Sequence, residues 1–178
     1  GAGVPNSLAA RLEKDSAYVN PTNVVHPTAE AKSRIAPEII DTIPNIDRRF
    51  GDRRAEILGI AILDPQGRIV YMLDPGAFIT VRISVRANAS IAKPVVGFML
   101  RNHMGLDFAG TNTTREGFPL PPMCDGDVYT VDFHIHLPVL YASQFSFSPA
   151  IADGDLLTYT MCDWVDNAIA LQMSVSDL

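Results

Sequence analysis

Two histidines separated by one residue, His134 and His136, form the sharpest chemical pattern in the sequence. Residues i and i+2 of a β-strand point to one face of a sheet, so both imidazoles could bind one metal ion, with His103 or Asp132 as a third ligand. A cupin-type metal site would also need a nearer glycine before the first histidine and a carboxylate soon after the second. Gly126 is too distant, and an apolar stretch follows His136. The pattern therefore favours strand-face histidines that are solvated or contact ligand hydroxyls, and we expect no metal and no cofactor.

Arginines on a second predicted strand add hydrogen-bond donors. Arg82 and Arg86 flank Ser84 on one strand face. Their guanidinium groups could bind hydroxyls or anionic groups of a glycan, and the alternative interpretation is a solvated outer sheet surface. Arg101 and His103 belong to a further polar group near strand ends, where loops commonly bind ligands. The sequence thus predicts a carbohydrate-binding surface that comprises Arg82, Arg86, Arg101, His103, Asp132, His134 and His136.

Sequence motifs of catalysis are missing from these 178 residues. There is no G-x-S-x-G elbow and no G-x-x-x-x-G-K-[ST] phosphate loop. Carboxylate pairs occur at Asp125 with Asp127 and at Asp153 with Asp155, but both surround glycines in predicted turns, where carboxylates accept backbone N–H groups. We therefore expect that this chain is not an enzyme.

Composition excludes several other classes of function. The net charge of −6 and the pI near 5.0 argue against a nucleic-acid partner. The longest apolar runs, such as Ile57 to Leu63, are shorter than the roughly 20 residues that cross a bilayer, and the opening residues show no secretory signal pattern. Without a secretory context, Cys124 and Cys162 are expected to be reduced rather than bridged.

The segments that must position these side chains follow a period of two. Between Phe78 and Asn88, the apolar residues Ile79, Val81, Ile83 and Val85 alternate with polar ones, and Val128 to Leu137 repeats the pattern. Turn residues rich in Gly, Pro and Asp separate such segments, and no long helical pattern intervenes. This indicates an all-β fold, an antiparallel β-sandwich of immunoglobulin-like or jelly-roll type. The other predicted strands are Ala55–Leu63, Ile69–Leu73, two within Val95–Asn112 around His103-Met104-Gly105, Gln144–Ser148, Leu156–Cys162 and Ala168–Val175.

The N-terminal portion has a different pattern. Pro21, Pro27, Pro37 and Pro44 interrupt any regular pattern in the later part of residues 1–46, which we interpret as a linker or arm that precedes a sandwich domain at 47–178. Asn6 or Ser7 could cap a short helix through Lys14, and Thr28 could cap another through Arg34, so the arm is expected to be partly helical. Trp164 is predicted to fill the core, and the alternative is an exposed ring on which a pyranose stacks.

Several short motifs, taken in order, resemble one domain family. They are Arg49-Phe50-Gly51, Ala55-Glu56-Ile57, Val96-Gly97-Phe98, Arg101-Asn102 with Gly105, Gly110-Thr111-Asn112-Thr113, Phe147-Ser148-Pro149-Ala150-Ile151 with Gly154, and Asp163-Trp164. The family is the C-terminal carbohydrate-recognition domain of the ATP-binding subunit of polysaccharide (O-antigen) ABC transporters.

The resemblance implies a non-catalytic immunoglobulin-like sandwich, often paired as a homodimer. Such a domain recognises a finished bacterial polysaccharide, the O-antigen part of lipopolysaccharide, on its lipid carrier at the cytoplasmic face of the inner membrane. Its partners would be the nucleotide-binding and transmembrane parts of the transporter, which export the glycan. Three alternatives stay open: the same module in a glycosyltransferase or methyltransferase, a dimerisation domain without a sugar site, and a metal-dependent jelly-roll enzyme.

Overall fold

The computed structural model describes residues 12–21, 38–137, 144–155 and 157–174, and these form eleven β-strands. Within these ranges, no helix has the length and apolar character needed to cross a lipid bilayer. The strands are β1 (Leu12–Pro21), β2 (Arg48–Phe50), β3 (Ala55–Leu63), β4 (Met72–Leu73), β5 (Phe78–Ala87), β6 (Pro94–Asn102), β7 (Asp107–Asn112), β8 (Val128–His136), β9 (Gln144–Gly154), β10 (Tyr159–Asp166) and β11 (Ile169–Met173).

The strands form two sheets. Sheet I has the order β1-β8-β5-β3. In sheet II the long strand β9 pairs with β6 along one side, and with β10 and β11 along the other; β7 extends beyond β6, β2 beyond β10, and β4 beyond β11. Every pair is antiparallel except β4 with β11. The predicted antiparallel β-sandwich is confirmed.

The structure describes only part of the two helices that were predicted in the arm. The last three positions of the first helix, Leu12 to Lys14, belong to strand β1, which pairs with β8. The helical interpretation is therefore wrong at these positions. The rest of that helix and the second one, from Thr28 to Arg34, lie outside the described residues.

The alternation seen in the sequence places one face of each sheet in the core. Val81 and Ile83 on β5 and Val131 and Phe133 on β8 are fully buried. Across the sandwich, Phe98 contacts Phe133 edge-on with ring centroids 5.3 Å apart. Each large side chain buried in this way stabilises the fold by about 1.5–3 kcal/mol. The two thiols are not bridged, since Cys162 is buried and Cys124 is exposed.

The segment that precedes β2 crosses the edge of the sandwich. The backbone N–H of Ile40 donates to Ser84 Oγ on the outer face of sheet I, and Thr42 accepts from Ile60 on the edge strand β3. Further along, the N–H of Asn45 donates to the carbonyl of Ala168 in sheet II. The crossing is possible because residue 59 is glycine, since a Cβ there would lie 2.5 Å from the Ile40 carbonyl oxygen.

Candidate functional site

Five of the seven predicted site residues share the outer face of sheet I. Strands β5 and β8 pair so that Arg82 lies opposite Asp132, and His134 lies opposite Thr80. His136 lies at the end of β8, opposite Phe78, and Arg86 lies at the other end of β5. The period of two therefore placed these side chains on a common surface.

These side chains already bind one another. The Arg82 guanidinium donates to both oxygens of Asp132, at 2.8 and 2.9 Å, and the Asp132 side chain is only 6% exposed. His134 Nδ1 and Thr80 Oγ1 are 2.8 Å apart. The His136 ring stacks on Phe78, with centroids 4.2 Å apart. Arg86 forms an ion pair with Glu56.

The centre of this face is buried as well. The Ser84 and Thr130 hydroxyls lie 2.9 Å apart and are fully buried, and the N–H of Ile40 donates to Ser84. A sugar on this face would have to break existing hydrogen bonds to gain new ones. In the described ranges, His, Cys, Asp and Glu side chains nowhere gather in a group of three or more that could hold a metal ion. A depression of about 270 Å³ remains at one end of the face, lined by Pro65, Phe78, Ile79, Thr80, His134 and Ile135.

Arg101 and His103 lie elsewhere. Arg101 is on β6 of sheet II, and His103 is in the exposed turn between β6 and β7. The Arg101 guanidinium donates to Asp107 at 2.8 Å and lies 3.6 Å from Asp166, and the hydrogen bond to Asp107 is the main cause of its raised pKa. The expectation that all seven residues form one surface is therefore wrong, because the chain crosses to the other sheet between β5 and β6.

Sheet II has its own outer feature, a groove of about 210 Å³. Its floor consists of residues on β6 and β9 that point away from the core. The groove is lined by Val95, Gly97, Phe98, Met99, Thr111, Asn112, Ala150, Ala152, Asp155, Tyr159, Met161 and Trp164.

Small residues at paired positions open this groove. Gly97 lies opposite Asn112 on β7 and opposite Ala150 on β9, and Val95 lies opposite Ala152. A Cβ on Gly97 would lie 2.4 Å from the Thr111 carbonyl oxygen, so no larger residue fits there without a backbone shift. Three small side chains in neighbouring strands thus leave a hollow in the outer face of the sheet.

Trp164 lines the groove instead of filling the core. Strand β10 places it opposite Ala150 on the outer face, where it is half-buried. Its indole N–H donates to Asp166 Oδ1 at 2.5 Å, and its ring stacks on Phe50 at a centroid distance of 5.9 Å. The core prediction for Trp164 is wrong. A register shift in β10, between Met161 and Asp163, turns Cys162 and Asp163 inward and Trp164 outward.

A hydrogen-bond network fixes the indole. Asp166, which accepts the indole N–H, also forms an ion pair with Arg48 at 3.0 Å. The next residue, Asn167, has a φ of 52° and accepts a hydrogen bond from Ser146 Oγ at 2.7 Å. Its amide donates to Asp47, whose pKa is lowered by hydrogen bonds from Asn45 and Asn167. These contacts hold the β10–β11 turn, and with it the orientation of Trp164.

Three polar groups border the apolar floor. The Asn112 side-chain oxygen accepts the N–H of Arg115, which leaves its amide N–H groups as donors. The backbone N–H groups of Thr158 and Leu157 both bind Asp155 Oδ1 and hold the pKa of this carboxyl below its usual value. Tyr159 adds an exposed ring and hydroxyl. The groove thus combines two aromatic rings with a donor and an acceptor of hydrogen bonds, which is the chemistry that binds a pyranose.

The sequence offered Trp164 as an exposed stacking ring only as the alternative interpretation, and it did not indicate the groove that this ring borders. The alternation Val95-x-Gly97 and Ala150-x-Ala152 was visible, and it places small residues on an outward face. What the sequence did not show is that these two strands are neighbours, or that a shift within β10 turns Trp164 toward them.

Comparison with known families identifies the domain. The sequence model of the Wzt C-terminal domain matches residues 47–177. The chain belongs to the Wzt C-terminal domain family. This confirms the resemblance seen in the sequence, to the C-terminal domain of the ATP-binding subunit of polysaccharide ABC transporters, and makes the chain a member of a domain family of transporter subunits. None of the curated proteins compared with the chain matches it significantly.

A solved structure supports the same fold. The crystal structure of the C-terminal domain of Wzt aligns with a TM-score of 0.70 and 22% identity, over 78% of this chain and 88% of that chain. The Pseudomonas fluorescens alkylpurine DNA glycosylase AlkC (TM-score 0.43, 13% identity, 68% of this chain and 31% of that chain) is less similar. So is a β-glucuronidase of glycoside hydrolase family 2 (TM-score 0.42, 13% identity, 68% and 13%). Similarity at the level of the last two supports no functional conclusion.

Proposed function

We propose that the groove of sheet II binds a sugar residue of a bacterial polysaccharide, and that this binding selects the glycan for export by an ABC transporter. The observation that supports the groove most is the position of Trp164, an oriented aromatic ring beside an apolar hollow with polar groups at its border. Family membership supports the choice of a polysaccharide as the ligand.

The polar face of sheet I is the rival location, because five of the predicted site residues lie there. Its Arg82, Asp132 and His134 side chains are bound to one another or to Thr80, so a glycan would gain little net free energy from them. The groove offers the Asn112 amide and one Asp155 oxygen instead. Each new hydrogen bond contributes about 0.5–1.5 kcal/mol net. Together with stacking of the sugar on the Trp164 ring, we expect a dissociation constant on the order of micromolar to millimolar.

In the cell, the domain would meet the glycan on its lipid carrier at the cytoplasmic face of the inner membrane. Its partners are the nucleotide-binding and transmembrane parts of the transporter and a second copy of the domain. The negative net charge of −6 is consistent with a role that involves no nucleic acid.

NMR titration with purified O-polysaccharide tests the proposal. Groove amides, including those of Gly97 and Ala150, should shift, and Trp164→Ala should weaken binding about tenfold or more. Tyr71→Ala is the matched control, because it removes an aromatic ring that is 80% exposed and does not line the groove. A second variant, Ala150→Met, fills the groove without removing the ring and should also weaken binding.

The same titration separates the two faces. If the shifts appear at Thr80 and His134 and His134→Ala abolishes them, the sugar binds to sheet I and the groove assignment fails. If no O-polysaccharide shifts the amide resonances of either face, the proposed binding function is itself refuted.

A further inference from the structure

The charges of the groove restrict the sugars that it can accept. Of its twelve lining residues, all within the described ranges, Asp155 is the only one with a charged side chain. Eight others are apolar: Val95, Gly97, Phe98, Met99, Ala150, Ala152, Met161 and Trp164. None of these lining residues supplies a cation for a carboxylate or a phosphate. The exposed Lys93 lies outside the lining, and its charge is a smaller cause of the lowered Asp155 pKa than the hydrogen bonds from Thr158 and Leu157.

Two arginines near Trp164 already bind carboxylates of the protein. Arg48 and Arg101 both approach Asp166, which accepts the indole N–H. Arg48 binds Asp166 at 3.0 Å, and Arg101 binds Asp107 at 2.8 Å. An acidic sugar would therefore have to compete with these protein carboxylates for either guanidinium.

From this arrangement we infer that the groove takes a neutral pyranose with an apolar side, with a 6-deoxyhexose preferred, and rejects acidic sugars. This inference rests on the proposed function, because it names the sugar class bound by the same groove. A ligand carboxylate would face the Asp155 carboxylate, which stays ionised because two backbone N–H groups bind it. Like charges placed opposite each other strongly disfavour binding.

The preference for a deoxy sugar follows from the floor. A methyl group at C6 would lie against side chains such as Ala150, Ala152 and Met161, where it loses contact with water. A hydroxyl in the same position would lose its hydrogen bonds to water unless it reached Asn112 or Asp155. Removing the C6 oxygen should therefore improve affinity by roughly fourfold, as for burial of one methylene group.

A series of methyl glycosides that differ only at C6 tests this directly. The galacto series consists of methyl α-D-galactopyranoside, its 6-deoxy form methyl α-D-fucopyranoside, and methyl α-D-galacturonide. A gluco series of the same design serves as a repeat with the opposite configuration at C4. Each is titrated into the 178-residue chain, and dissociation constants are taken from the shifts of the Gly97 and Ala150 amides.

The expected order in at least one series is 6-deoxy tightest, then the hexoside, with the uronide about tenfold weaker or more. Asp155→Asn should narrow the gap between hexoside and uronide. It removes the charge while its side-chain oxygen can still accept the N–H groups of Leu157 and Thr158. Asp64→Asn is the matched control, because Asp64 accepts N–H groups in a turn outside the groove in the same way; it should leave the gap unchanged.

The outcomes separate this inference from the proposed function. Two results would overturn the neutral-sugar inference and leave the groove as a sugar site. In one, the uronide shifts the groove amides and binds as tightly as the hexoside; in the other, Asp155→Asn does not change the difference in affinity between hexoside and uronide. The absence of groove shifts with every glycoside of both series and with O-polysaccharide overturns both.

Discussion

Arg49 and Asp163 form a bidentate ion pair that ties sheet II to sheet I. Arg49 donates to Asp163 Oδ2 at 2.7 Å, and the same oxygen accepts the N–H of Ile57, the third residue of β3, at 2.8 Å. The Asp163 side chain is fully buried, and Arg53 approaches its other oxygen at 3.3 Å. The motifs Arg49-Phe50-Gly51 and Asp163-Trp164 are therefore structurally linked. Arg49 and Asp163 join the two sheets, and Phe50 stacks on Trp164 beside the groove.

Arg49→Ala should therefore destabilise the domain strongly. It removes two donors from a buried carboxylate, and loss of one partner from a buried ion pair costs about 3 kcal/mol or more. Arg68→Ala is the matched control, since Arg68 is 75% exposed and its pair with Asp64 should contribute at most about 0.5 kcal/mol. Urea unfolding measures both. Equal losses in the two variants would show that the Arg49–Asp163 pair does not stabilise the fold.

The pair Arg82–Asp132 is predicted to be structural. Asp132→Ala should lower the free energy of unfolding by about 3 kcal/mol, the low end of the usual range, because Arg82 keeps 19% of its side chain exposed. Replacing both residues together, with Arg82→Met and Asp132→Leu, should recover most of that loss, since no unpaired charge remains. Both proteins should bind O-polysaccharide as the wild type does. Loss of binding in the double variant, with stability retained, would instead assign these residues to a sugar site.

Gly97→Ala should both destabilise the domain and close the groove. The added Cβ meets the Thr111 carbonyl oxygen at 2.4 Å, and overpacking of this kind costs about 1–3 kcal/mol. Gly117→Ala serves as a control: no atom lies within 4 Å of its Cβ, but its φ of 72° makes the substitution cost roughly 1–2 kcal/mol. Thermal unfolding and sugar titration should show stability reduced in both variants and binding lost only in Gly97→Ala. Normal binding by Gly97→Ala would refute the position of the groove floor.

Sugar binding should be nearly independent of pH from about pH 8 to pH 5. The Asp155 carboxyl has a pKa below its ordinary value of 3.8, with the hydrogen bond from Thr158 as the largest cause. It therefore remains an ionised acceptor throughout this range, and its contribution should decline only as the pH falls through the lowered pKa. A site whose donors were imidazoles would change its charge in the same range. Titration calorimetry at half-unit intervals distinguishes the two, and a marked change in affinity near pH 6.5 would argue for a histidine site.

The two thiols should react very differently. Burial raises the pKa of the Cys162 thiol to about 11, so almost none of it is thiolate at pH 8, whereas Cys124 is exposed. Ellman's reagent should therefore modify one thiol per native chain and two after unfolding in guanidinium. Cys124→Ser should abolish the native reaction. No reaction even after unfolding of the wild type would reveal a disulfide and contradict the fold at Cys162.

The fold was more predictable than the site because strand faces follow a local rule. The alternation in Phe78–Asn88 and Val128–Leu137 correctly placed Arg82 on the sheet face that points away from the core. It could not show that the Arg82 guanidinium already binds Asp132. Strands β1 and β2 were missed because their pairing partners, β8 and β10, are more than a hundred residues distant in the chain. The groove depends on similar long-range pairing, of Gly97 with Ala150, and on an irregularity in β10 that no periodic pattern predicts.

The strap formed by residues 40–45 determines where the chain can be cut. A fragment that starts at Asp47, the first residue of the family match, would leave the N–H of Ile60 and the carbonyl of Ala168 without the groups that satisfy them here, and would leave Ser84 Oγ with Thr130 alone. It would also lack Ile43, which packs against the core. Buried or half-buried polar groups that lose their partners are costly. The shortest stable fragment of this sandwich therefore begins upstream of residue 40. The family match begins at residue 47, so the boundary of sequence similarity differs from the boundary of the stable domain.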